Sequence, residues 1–132
     1  MKKTIILLLT ILIYSCNDSM KFDSEKWKPI ESGLYGENYR KKMVFDLVNN
    51  VLVFENSPNK NGMKYSEVER LIYKPYRIDS ISSNLQNYTC YYEISERIDY
   101  GIDPNGGMNL ELIFSKDSIL IDWTINEYWN RP

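Results

Sequence analysis

The chain has 132 residues, 43% of them hydrophobic and 26% charged, which suits one folded domain with a modest core and excludes a disordered chain. The formal charge is −2, and residues 1–15 carry Lys2 and Lys3 but no acid, so a chain lacking them has −4. That balance argues against nucleic acid, whose phosphates need clustered Lys and Arg. The sequence has no histidine, which removes Ser-His-Asp and Cys-His nucleophile systems, imidazole metal sites and the commonest general base near neutral pH.

Lys2 and Lys3 form a basic start, and Ile5 to Tyr14 then run apolar apart from Thr10. A membrane-spanning helix needs about 20 apolar residues; this run has half of that and reads as the hydrophobic region of a signal peptide. Ile13-Tyr14-Ser15-Cys16 follows and resembles the lipobox of bacterial lipoproteins. The resemblance implies cleavage between Ser15 and Cys16 and a diacylglyceryl thioether on the Cys16 sulfur. Residues 1–15 are then a lipoprotein signal peptide, 16–36 a lipidated tether, and 37–132 the domain. Phe22 and Trp27 are candidates for docking back from the tether. With Cys16 acylated, Cys90 has no partner for an intramolecular disulfide and reads as a small buried hydrophobe.

Tyr39, Met43, Val44, Leu47, Val48 and Val51 fall on one helical stripe, with Arg40, Lys41, Lys42 and Asp46 largely outside it. Asn56 to Gly62 is turn-rich. Val68, Leu71 and Ile72 mark a second, short helix that Pro75 stops. Helices this short are marginal alone and must pack on something else.

The rest alternates with period two. Tyr88–Ser95, Met108–Phe114 and Ile119–Ile125 each set apolar against polar positions, as strands with one buried face do. Asp103 to Gly107 is a turn-rich link between the first two. A two-residue turn at Lys116-Asp117 pairs Phe114 with Ile119, Leu112 with Ile121, Leu110 with Trp123 and Met108 with Ile125. The expected fold is α+β: two short helices packed on one face of a three-stranded antiparallel β-meander (αα-βββ).

Gly62-Met63-Lys64-Tyr65-Ser66-Glu67-Val68 followed by Leu71 and Pro75 resembles the signature of the small outer-membrane lipoproteins of the BamE type (the SmpA/OmlA domain). Lys64 stands where that signature has a capping Ser or Thr, and Tyr73 where it has a helix-ending glycine. The resemblance implies the αα-βββ fold, an outer-membrane location and a non-enzymatic role in binding or scaffolding other envelope proteins during outer-membrane protein assembly. The same architecture also resembles the repeat unit of protein inhibitors of β-lactamase, so fold alone does not choose a function.

The same hairpin register sets Glu111 opposite Asp122 on the outer face, with Glu93 and Tyr91 beside them on the preceding strand. Facing like charges need neutralising. The face therefore reads as a solvated acidic surface, as a docking face for a basic partner of an inhibitor or immunity-type protein, or as a carboxylate pair for glycoside hydrolysis. An open sheet face lacks the pocket that acid–base chemistry needs, which disfavours a hydrolase. Calcium-loop spacing fails from Asp103, whose sixth position is Met108, and from Asp99, whose sixth is Pro104. No cofactor or metal is expected. The tyrosines are numerous, as are Ile, Lys and Asn, all with AT-rich codons, so codon bias rather than a binding surface accounts for them.

Overall fold

The computed structural model describes residues 19–28, 39–55, 61–80, 87–97 and 106–129. The lipobox and the Asp103–Asn105 turn lie outside them. Helix α1, Tyr39–Asp46, continues through a π-helical turn at Leu47–Val51; α2 spans Tyr65–Ile72. Four strands follow in a single antiparallel sheet in chain order: β1 Arg77–Ser80, β2 Tyr88–Arg97, β3 Gly106–Phe114 and β4 Leu120–Trp129. The α+β class with two helices holds, and the sheet has one strand more than the three expected. β1 escapes period analysis because only Ile78 among its four residues is apolar, and even Ile78 is exposed.

One core joins the two layers. Met43, Val44, Leu47, Val48, Val68 and Ile72 from the helices meet Cys90, Tyr92, Ile94, Leu110, Leu112, Phe114 and Leu120 from the sheet. Burial of such side chains is worth about 1.5–3 kcal/mol each and holds helices too short to persist alone. Cys90 is fully buried, and loss of solvation pushes its thiol up to about 12, so it fills core rather than reacting.

The docking expected of Phe22 and Trp27 is present: Trp27 is fully buried, and Met20 and Phe22 pack against the same core. Met20 N–H donates to the Lys42 carbonyl at 2.9 Å, Phe22 N–H to the Asp46 carboxylate at 2.7 Å, and the Ser24 hydroxyl to the Leu71 carbonyl at 2.6 Å. Arg40, expected outside the apolar stripe, is buried with Met43 and Val44. Its polar head is accommodated because two main-chain carbonyls receive it, as described below.

The β3–β4 register is also corrected. The turn takes three residues, not two: Ser115 N–H donates to the Ile119 carbonyl, and Ser118 absorbs the extra residue at φ 62°. A bulge next to Phe114 adds a second extra residue. Phe114 therefore faces Leu120, Leu112 faces Trp123, and Leu110 faces Ile125. Two single-residue insertions restore parity, so Trp123 and Ile125 keep their expected face while Leu120, expected outside, is fully buried. The flanking elements also run on past their expected ends: β2 to Arg97, β4 to Trp129, and β3 back to Gly106, so Gly106 and Gly107 are strand rather than turn.

The loop before α2 is stitched to the start of β4. Leu120 N–H donates to Met63, Glu55 N–H to Leu120, and Tyr65 N–H to Ser118. Gly62 sits in this seam, where a Cβ would lie 2.4 Å from the Leu120 carbonyl oxygen and 2.8 Å from the Glu55 nitrogen. At the α2 N-terminus Glu67 accepts the Lys64 N–H at 2.7 Å, while a lysine side chain offers no acceptor for the reciprocal bond. Tyr73 ends α2 at φ 66°, a left-handed backbone that glycine adopts more readily.

Candidate functional site

The helices cover one face of the sheet, and among the described residues no helix covers the other. Strand pairing arranges that outer face in rows. Arg77, Tyr91, Glu111 and Thr124 stand abreast across β1 to β4; one step along lie Asp79, Thr89, Ile113 and Asp122; one step the other way lie Glu93, Asn109 and Asn126. The four residues singled out from sequence, Tyr91, Glu93, Glu111 and Asp122, do share this face.

Their mutual geometry differs from the expectation. Glu111 faces Thr124, and Asp122 faces Ile113; the two shifts in the hairpin separate the carboxylates by a row. Diagonal neighbours of this kind lie about 7–8 Å apart at Cα. Each acid has its own local donor: Glu111 accepts from the Asn126 amide at 3.3 Å, and Asp122 from the Trp123 N–H at 2.8 Å. The facing carboxylate pair on which a retaining glycosidase reading depended is absent. Glu93, Glu111 and Asp122 instead trace a diagonal across β2, β3 and β4, which spaces like charges and lowers their repulsion.

The strand missed from sequence adds to the face. The Arg77 guanidinium lies 3.9 Å from the centre of the Tyr91 ring and is held by Asp79 at 3.1 Å. The bond with Tyr91 is the main cause that raises the guanidinium further above its already high range. Tyr76 is more than half exposed and leans on Tyr91, ring centres 6.4 Å apart. Its side chain bonds with that of Asn109, which opposes the upward push of burial on the phenol. Asn109 is itself buried, and its Oδ1 has no partner among the described residues. Partial burial and neighbouring Glu96 push the Glu93 carboxyl up. Pro75, as a helix stop followed by Tyr-Arg, was the only sequence signal for this edge.

At one end of the sheet a shallow cavity of about 420 Å³ is lined by residues including Glu96, Met108, Glu127, Tyr128 and Trp129. Trp129 is 53% exposed. Among the described residues no group of three or more Cys, Asp or Glu side chains is placed to hold a metal ion.

No family model, curated protein or solved structure matches the chain. The outer sheet face offers a rigid, open surface in which a stacked Tyr91–Arg77 pair, Tyr76 and three spaced carboxylates present aromatic area and charge. Aromatic and Arg side chains of this kind anchor protein–protein contacts.

Proposed function

We propose that the protein is an envelope lipoprotein, anchored by lipid on Cys16 in the outer membrane, whose domain binds or scaffolds another envelope protein without catalysing a reaction. The observation that carries the binding role is the outer sheet face, where Arg77 stacked on Tyr91 stands beside Tyr76 and Glu111 on a hydrogen-bonded four-stranded support. Support for a non-catalytic role comes from the missing histidine, the separated carboxylates and a buried thiol whose pKa is raised. The BamE-type motif at Gly62 to Pro75 supports a place in outer-membrane protein assembly.

A second reading, an inhibitor or immunity-type protein with a basic target, is favoured by the acid excess on the same face: Asp79, Glu93, Glu111 and Asp122 against Arg77. A photo-cross-linking residue at Tyr91 in intact cells tests the shared claim. We expect one specific envelope protein to be captured. Recovery of abundant bystanders alone contradicts it. Reversing Glu111 and Asp122 to lysine then separates the readings, since only the inhibitor reading requires the adduct to disappear.

A further inference from the structure

Lipid on Cys16, the anchor already proposed, leaves a very short leash. Met20 is pinned to the Lys42 carbonyl of α1, so only Asn17, Asp18 and Ser19 lie between the acylated residue and the folded domain. The four Cα-to-Cα steps from Cys16 to Met20 reach at most about 14 Å, at about 3.5 Å each. A domain held that closely cannot tumble freely above the bilayer; the side bearing Met20 and α1 must face it.

The composition of that side fits such a neighbour. The core takes Met43, Val44, Leu47 and Val48 from the inner side of α1 and its π-helical extension. The opposite side carries Phe45, 58% exposed, whereas Lys41 one turn earlier sits on the flank and lines the cavity beside Glu96 and Glu127. Lys42 receives the Met20 N–H on its carbonyl, and the exposed Lys21 follows Met20 on the stretch of chain laid along the helix. Residues 20–28 and 39–51 hold six Lys and Arg, buried Arg40 included, against three Asp and Glu, whereas described strands β2 to β4 with their turn hold two against six; α2, with one Arg against two Glu, does not share the basic balance. The basic part of the helical layer is the part nearest the lipid-bearing end.

We infer that the exposed side of α1 is a bilayer-docking surface, on which Phe45 enters the headgroup region and Lys21 and Lys42 meet anionic lipid phosphates. A single apolar side chain with flanking lysines binds weakly alone, but combined with an acyl anchor it fixes orientation. One consequence is that the helical layer lies between bilayer and sheet. The outer sheet face with Tyr91 and Arg77 then points away from the membrane, open to a partner.

The thiol inventory makes a clean test possible. With Cys16 acylated and Cys90 buried, Phe45→Cys in the full chain supplies one accessible thiol for a polarity-sensitive fluorophore, and Thr124→Cys on the outer sheet face supplies the control. Both proteins, purified in detergent from membranes, are reconstituted into vesicles with about one third phosphatidylglycerol, with and without nitroxide-labelled lipid. We expect blue-shifted emission at position 45, quenched at least about twofold more than at position 124. Lys21→Glu with Lys42→Glu in the Phe45→Cys chain should bring the two positions together. Equal, water-like emission at 45 and 124 overturns the docking surface. Palmitate incorporation, read on the same preparations and on Cys16→Ser, reports the anchor separately. A lipidated chain with a water-exposed position 45 sinks the orientation alone, and an unlipidated chain with a buried one sinks the anchor alone.

Discussion

Arg40 reaches from the middle of the helical layer to the main chain of Glu93, donating from Nη1 to the Glu93 carbonyl at 2.7 Å. The same guanidinium donates from Nε to the Trp27 carbonyl at 2.7 Å and lies 5.2 Å from the centre of the Trp27 ring. Glu93 is where the β2–β3 register shifts, and a bulge withdraws carbonyls from the ladder, so the sheet supplies an acceptor that a regular strand would have used. One buried cation thus ties the N-terminal segment, α1 and β2 together. Burial lowers its pKa from the ordinary arginine value, and Glu93 opposes this.

Arg40→Ala leaves two carbonyls in the core region without donors, each costing about 1–3 kcal/mol. We expect urea unfolding to show a loss of about 3 kcal/mol. Arg40→Lys keeps the charge but lacks the fork that serves both carbonyls, and should lose roughly half as much. A loss below about 0.5 kcal/mol for the alanine variant would mean that this junction is not structural.

Trp27→Ala removes a fully buried indole that rests against Phe22, ring centres 5.8 Å apart. A destabilisation of about 3–5 kcal/mol is expected. Residues that served only as a leash would tolerate the change, so an unaltered denaturation midpoint would restore the tether reading of this segment.

How much of this was legible in the sequence depends on what each signal encodes. Period two located β2, β3 and β4, because alternation reports a buried face. It could not count the residues of a turn: Ser118 and the bulge beside Phe114 each add one, and neither changes the apolar pattern of Trp123 and Ile125. The face of Glu111 and Asp122 was therefore right and their pairing wrong. β1 was missed because an exposed edge strand has no face to bury. Arg40 was misplaced because its burial depends on carbonyls from distant parts of the chain, and no local pattern announces them.

Gly62→Ala should be costly for a chain of this size. The added methyl meets main-chain atoms of Leu120 and Glu55, which cannot rotate away as a flexible side chain would. Separating the seam between the pre-α2 loop and β4 is expected to cost about 1–3 kcal/mol. Thermal denaturation checks it; a midpoint equal to that of the parent would show that the seam opens freely.

Asp46 governs the pH response of the N-terminal segment. The Phe22 N–H, and next the Asn50 amide, hold its carboxyl below the ordinary aspartate value. A depressed acid contributes stability that is present above the unfolded-state pKa of about 3.9 and lost as pH falls through the folded-state value. Amide exchange at Phe22 should therefore stay slow at pH 5 to 7, after correction for intrinsic rates, and accelerate below about pH 4. Protection that persists unchanged to strongly acid pH would show that the carboxylate is not the latch.

The anchor is tested most directly by the intact mass of the chain recovered from cell membranes. We expect a polypeptide that starts at Cys16 and carries the added mass of a diacylglyceryl group on its sulfur. A product that begins at Met1, or one cut elsewhere and released without lipid, would contradict the envelope placement and the functional proposal that rests on it.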